Sequence, residues 1–184
     1  FSPKTGLVYI PAQEILGAYR VDPAFQVTDS DFNVGTDFSV FAAFPPEAAS
    51  GHLLAWDPVK QREAWRVPYG MPWNGGTLST GGNLVFQGTA DGRFMAYRAD
   101  DGRPLFVDHT ETGVIAAPMT YEIDGVQYVS IMAGWGGAFG IGAGTAARGA
   151  VAGPGKLITY ALATEAPDAA AIQAHLQRPG KEAE

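Results

Sequence analysis

Apolar residues along this chain recur at every second position in short bursts, and the three-to-four spacing of an amphipathic helix is missing from most of its length. Gly6-Leu7-Val8-Tyr9-Ile10-Pro11-Ala12 is β-branched and aromatic and meets Pro11 near its end, which predicts a strand running into a loop. Nothing before Gly6 reads as a cap or leader, so the numbered start is expected to cut through a larger architecture. Between residues 18 and 50 the alternation dissolves into Asp, Asn, Phe and Pro, which predicts a long excursion loop. From Gly51 onward the pattern repeats itself. Leu54-Ala55-Trp56-Asp57 leads to Trp65, and Met95-Ala96-Tyr97-Arg98 leads through Asp101-Gly102 to Phe106. Ala55 and Ala96 stand 41 residues apart, as do Trp65 and Phe106.

A third cousin, Leu157-Ile158-Thr159-Tyr160-Ala161, follows later. Two further strand-like runs, residues 82–88 and 125–130, are offset by 43. A period near 40 with several short strands and a recurring aromatic is the signature of β-propeller blades. A single blade cannot bury both of its faces, so the aromatic ending each repeat is expected to wedge between neighbouring sheets. The prediction is an all-β chain holding about three blades over residues 1–162, with a glycine-rich loop at 134–155. Residues 163–184 read as a tail or linker. Pro167, Asp168 and the alanine-rich stretch to Leu176 predict a short helix there, ended by Pro179-Gly180.

Composition sharpens this picture. The 184 residues include 24 Gly and 13 Pro, one residue in five, which suits many short strands better than a helical bundle. The net charge of −7 gives no basic field for phosphate backbones or anionic lipid, so nucleic acid is not an expected partner. No apolar run reaches the roughly 20 residues of a membrane-spanning helix. With no cysteine there is no disulfide framework, thiolate nucleophile or zinc ribbon within the chain.

Two clusters carry candidate chemistry. In Trp73-Asn74-Gly75-Gly76 the Trp offers an aromatic face and an N–H, the Asn an amide, and the glycines remove bulk, a set suited to a planar polar ring or simply to a turn with a core Trp. In Gly134-Trp135-Gly136-Gly137 a glycine-dense loop follows a strand, with Trp135 as its large flat surface. Both are expected in loops beside strands, where a propeller presents its functional face. Gly142, Gly144 and Ala147 match a dinucleotide fingerprint in spacing, but Gly149, Gly153, Pro154 and Gly155 forbid the helix it needs. Asp29-Ser30-Asp31-Phe32-Asn33-Val34-Gly35 alternates oxygen-bearing side chains, yet Val34 and Val40 stand where a calcium loop needs Gly and Glu. His52, His109 and His175 have no metal-like spacing.

Taken together, the segments 2–12, Trp73-Asn74-Gly75-Gly76, 82–92, 112–121 and Gly134-Trp135-Gly136-Gly137 resemble the carboxy-terminal part of the quinoprotein alcohol dehydrogenases. The resemblance covers residues 1–162 and implies an eight-bladed propeller that uses pyrroloquinoline quinone. That family's blades carry Ala-x-Asp-x-x-Thr-Gly-x-x-x-Trp. Ala55, Asp57 and Trp65 keep it with Lys60-Gln61 in place of Thr-Gly, whereas Ala96 and Gly102 keep it with Arg98, Asp101 and Phe106 departing.

The resemblance further implies that Trp73, Asn74, Gly134, Trp135 and Gly136 bind the cofactor, as one wall of a quinone and substrate pocket. It places the catalytic aspartate, the calcium ligands and the vicinal cysteines upstream of residue 1, so no catalytic and no metal-binding residue is expected in this chain. The implied activity is oxidation of primary alcohols or related hydroxyl compounds in the periplasm. An aspartate would take the hydroxyl proton and a hydride would pass to a quinone carbon polarised by calcium or a similar ion. Partners would be the remaining blades, in the same or a separate chain, a small alcohol, and an electron acceptor such as a cytochrome c. The competing reading is a non-catalytic propeller used as a binding or assembly scaffold, which has no need of both Trp clusters.

Overall fold

A computed structural model describes residues 1–16, 18–29, 33–37, 39–40, 49–136 and 150–161. The short alternating runs become ten strands among them, with no α-helix. The first sheet joins β1 (Val8–Ile15), β2 (Ala49–Asp57) and β3 (Arg62–Tyr69) in that order. The second joins β4 (Asn74–Ser79), β5 (Leu84–Thr89), β6 (Arg93–Arg98) and β7 (Pro104–His109). The third joins β8 (Met119–Ile123), β9 (Val126–Ala133) and β10 (Lys156–Ala161). Every pairing is antiparallel between neighbours in sequence, so each sheet is a meander. The 41-residue repeat superposes β2 and β3 on β6 and β7, which makes β1 the counterpart of β5. Among the described residues the first sheet has no counterpart of β4 and the third none of β7.

Burial explains why these sheets stack. On β5, Val85 and Gln87 face the first sheet while Phe86 faces the third. Tyr9, Leu53, Val85, Met95 and Tyr97 fill one interface, and Phe94, Val114, Ile131, Ile158 and Tyr160 the other. The middle sheet is thus covered on both faces, and Phe94-Met95-Ala96-Tyr97 is buried without a break. By contrast β8 is exposed throughout.

The aromatic wedges behave as the repeat predicts. Trp65 lies on Gly102 of the next sheet so closely that a Cβ there would sit 2.6 Å from the ring, and its indole N–H donates to Ala99 O at 3.2 Å. Phe106 meets Tyr160 of the third sheet edge-on, with centroids 5.5 Å apart.

Three expectations shift. β1 does not end at Pro11 but continues to Ile15, with Pro11 opposite Leu53. Among the described residues β1 pairs with β2 alone, an edge position of the kind where proline is tolerated. The chain between β1 and β2 accordingly runs over residues 16–48, of which 17, 30–32, 38 and 41–48 lie outside the described residues. Asn74, Gly75 and Gly76 lie within β4, with Trp73 just before it, where the sequence suggested a loop. β9 ends at Ala133 and β10 begins at Lys156, and of the glycine-rich stretch between them residues 137–149 lie outside the described residues. Within the calcium-like run, Asn33 closes a turn through Thr28 N and Thr28 O, at 2.9 and 2.7 Å. Ser30, Asp31, Phe32, Gly137, the fingerprint residues Gly142, Gly144 and Ala147, His175 and the tail 163–184 lie outside the described residues.

Register sets which loops meet. Asn74 pairs with Thr89, Arg93 with His109, Gly51 with Tyr69, and Ala133 with Lys156. The segments at 16–48, 70–73, 90–92, 110–118 and 134–155 therefore emerge at one end. Among the described residues the opposite end carries the amino-terminal residues 1–7 and the tight turns at 58–61, 80–83, 99–103 and 124–125.

Candidate functional site

At that end β4 opens with an irregularity. Its ladder to β5 pairs Asn74 with Thr89 and then Thr77 with Gln87, so Gly75 and Gly76 bulge out of register. Glycine is required here by what lies outside the bulge: a Cβ on Gly75 would sit 2.5 Å from Ala116 O, and one on Gly76 2.6 Å from the Ala117 Cβ. The Asn74 amide folds back to donate to Met71 O at 3.0 Å, which leaves its Oδ1 buried without a partner. Trp73, Ile115 and Ala150 all pack against the buried Met71 and Ala90.

Gly134, Trp135 and Gly136 come to the same end from the third sheet. A parallel bridge joins Val114 to Gly134, and Gly134 N donates to Gly113 O at 2.7 Å. The φ of +147° at Gly134 lies in a region that side chains rarely adopt. Trp135 gives its indole N–H to Val151 O at 2.7 Å, while the residue stays 38% exposed. The result is an open groove of about 390 Å³ lined by Ile115, Ala116, Met132, Gly134, Trp135 and Gly136 among others.

Three of the five expected cofactor-binding residues thus line one groove. Trp73 and Asn74 do not line it, but Trp73 packs against the same Met71–Ala90 cluster as Ile115, which does. Ile115, Ala116 and Met132 were not singled out by sequence, although 112–121 carried part of the resemblance.

Charge at this end is internally matched. Arg93 pairs with Asp91 at 2.6 Å, and Lys156 with Glu111 at 2.7 Å and Thr110 O at 3.1 Å. Among the described residues no group of three or more His, Asp or Glu side chains gathers as cation ligands. Deeper, between the first two sheets, burial pushes the Tyr69 hydroxyl well above its ordinary pKa and that of Tyr97 up to about 12. Between the second and third sheets, Tyr160 donates to Asp108 Oδ2 at 2.7 Å, and burial again raises its pKa. The groove therefore offers an aromatic ring, apolar side chains and glycine backbone: it can take one side of a planar ring, while charge neutralisation and proton transfer need groups from elsewhere.

Three stacked antiparallel meanders with a groove at the end where their loops gather define a segment of a β-propeller. Residues 47–129 match the family described as "PQQ: Glucose/ethanol/alcohol dehydrogenase, beta-propeller domain". The quinohemoprotein alcohol dehydrogenase ADH IIB of Pseudomonas putida is 57% identical over 137 residues, which are 74% of this chain and 20% of that protein. The quinohemoprotein alcohol dehydrogenase of Comamonas testosteroni is 47% identical over 173 residues, covering 90% of this chain and 24% of that protein. In solved structures, the quinohemoprotein alcohol dehydrogenase ADHIIG of Pseudomonas putida HK5 superposes with a TM-score of 0.77 at 43% identity, over 91% of this chain and 26% of that one. A europium-containing methanol dehydrogenase does so with a TM-score of 0.71 at 28% identity, over 88% and 32%. The chain belongs to the quinoprotein alcohol dehydrogenase family and corresponds to a carboxy-terminal portion of its propeller. It spans about a quarter of the length of these relatives.

Proposed function

We propose that this chain forms one wall of the quinone and substrate pocket of a dehydrogenase that oxidises primary alcohols or related hydroxyl compounds in the periplasm, using pyrroloquinoline quinone. The observation that carries the reading is the convergence of Trp135, Gly134 and Gly136 with Ile115 and Ala116 around one apolar groove, beside the Trp73 segment. When bound, the quinone supplies the electron-pair acceptor for the hydroxyl carbon. Trp135 offers its face to the flat ring, oriented by the bond from its indole N–H to Val151 O. The glycine backbone at 134 and 136 admits a close approach, and Ile115 and Ala116 give the wall an apolar lining.

The residues described here fit the planar body of such a cofactor, and the unpartnered Asn74 Oδ1 adds a buried acceptor in the adjoining segment. They do not fit its carboxylates, because Arg93 and Lys156 already hold Asp91 and Glu111. The carboxylate-binding cations, the proton acceptor and the ligands of a calcium-like ion belong, on this reading, to the remaining blades. A cytochrome-type acceptor would remove the electrons. One relative, from Thauera butanivorans, is named 1-butanol dehydrogenase (cytochrome c). A scaffold function has no comparable use for an exposed indole over a glycine-lined groove.

In the enzyme carrying this chain, Trp135→Ala is expected to weaken quinone binding about ten- to a hundredfold, the loss for one large aromatic contact. Quinone content after exhaustive dialysis measures it. Unchanged stoichiometry and affinity would sink the pocket reading.

A further inference from the structure

Gln87 is fully buried, on the face of β5 that Val85 also uses, where a leucine or methionine would fill the same space without desolvating an amide. Its partners explain the choice. Its Oε1 accepts from Tyr69 OH at 2.9 Å, and its Nε2 donates to Gly75 O at 2.9 Å. The Tyr69 hydroxyl also lies 3.0 Å from that of Tyr97, whose own proton points to Met95 Sδ at 2.9 Å. The carbonyl that Gln87 reaches is the one thrown out of the β4–β5 ladder by the bulge, so the side chain replaces a missing strand bond. That bulge presses on Val114 O and Ala116 O, with a Gly75 Cβ position 3.0 and 2.5 Å from them, and Ile115 and Ala116 are groove wall.

We propose that Gln87, anchored by Tyr69 of the preceding sheet, is a positioning residue: it fixes the Gly75 bulge and through it the 114–117 segment that walls the groove. The proposal rests on the pocket reading given above. It makes the interface between the first two sheets a determinant of pocket shape, since Tyr69 ends β3 while the wall follows β7. A displaced Gly75 peptide has no room to relax outward, so its movement passes to residues 114–117.

The test compares Gln87→Met, which keeps the volume and removes both bonds, with Tyr69→Phe and with Trp65→Phe, in the enzyme carrying this chain. Trp65→Phe loosens the same interface at the end remote from the groove and is the control for lost stability. In the cofactor-free protein, Gln87→Met is expected to speed amide exchange at Gly75, Gly76 and residues 115–117 about tenfold relative to Trp65→Phe. Its quinone dissociation constant should rise about fivefold to tenfold. Tyr69→Phe should show the same pattern more weakly, and adding it to Gln87→Met should change little further. Should Gln87→Met fail to accumulate, Tyr69→Phe carries both expectations by itself.

Wild-type exchange at 115–117 in Gln87→Met overturns the proposal whatever the quinone does. So does faster exchange with unaltered quinone affinity, when Trp135→Ala lowers that affinity. If exchange quickens and neither substitution touches quinone binding, the positioning of the wall is supported and the pocket reading falls.

Discussion

Gln61 and Gly102 occupy the same place in successive repeats, and both adopt positive φ, at 52° and 74°. The glycine does so freely, whereas the glutamine carries a Cβ clash that costs about 1–2 kcal/mol. Gln61→Gly removes the clash but loosens the unfolded chain, so a net gain of about 0.5–1 kcal/mol is expected, read as a raised unfolding midpoint. Beside this site the repeats exchange charges: Asp57 pairs with Lys60 in the first, and Arg98 with Asp101 in the second. The same turn is closed with opposite polarity, which explains how Arg98 departs from the family pattern without disturbing the fold. Titration divides the molecule further. Backbone and side-chain bonds from Lys60 lower the pKa of Asp57, so its contribution is present above the ordinary carboxylate range and is lost on acidification. Tyr69 and Tyr97 act oppositely. Their folded pKa values exceed the ordinary 10, so their neutral forms stabilise the fold fully below pH 10, and that stability is lost as pH rises through their folded values, about 12 for Tyr97. Denaturant midpoints measured across that alkaline window should fall in the parent, and fall less in Tyr97→Phe.

At the scale of elements, stability lies in how one sheet's last strand seats on the next. Trp65→Ala is expected to cost about 3 kcal/mol, the usual scale for emptying a large aromatic site. Gly102→Ala should cost a similar amount for another reason, since the new methyl meets the Trp65 ring and the backbone holds a φ of +74°. Because half of the second penalty is the ring itself, the double variant should lose less than the sum, and a thermal-unfolding cycle measures the difference. This interface was legible in the sequence, because a period near 41 and paired aromatics are a chain-wide pattern that survives local substitution. The start of β4 was not. Asn74-Gly75-Gly76 reads as a turn by composition, and the reason for its glycines, the carbonyls of Val114 and Ala116, lies some forty residues away. Gln87 was passed over because a single polar residue between Phe86 and Gly88 looks like ordinary strand alternation. The clue is its parity with Val85, which puts it on a buried face. Pro11 misled for the mirror reason: it reads as a stop, and only the knowledge that β1 has one partner removes that meaning.

For the whole molecule the middle sheet is the only one covered on both faces among the described residues. Met119, Tyr121, Ile123, Met132 and Leu157 of the third sheet remain exposed, as does Ile10 of the first. The 184-residue chain purified by itself is therefore expected to self-associate, visible as concentration-dependent light scattering. With quinone and calcium added it should show only background dye-linked alcohol oxidation; robust turnover would mean that this chain holds the proton acceptor and charge-neutralising groups assigned above to other blades. The loops divide the same way as the faces. The connections from β1 to β2 and from β9 to β10 are long, whereas the equivalent turn from β5 to β6 is only Ala90-Asp91-Gly92. That brevity makes it a shelf, because Val151 N bonds Ala90 O at 3.1 Å and Gly113 abuts the same carbonyl. A protein engineer would read the map accordingly. Foreign sequence, such as an epitope or a surface tether, belongs at Gly81-Gly82, where no backbone lies within 4 Å of either added Cβ position, and the shelf at 90–92 is the place to leave untouched.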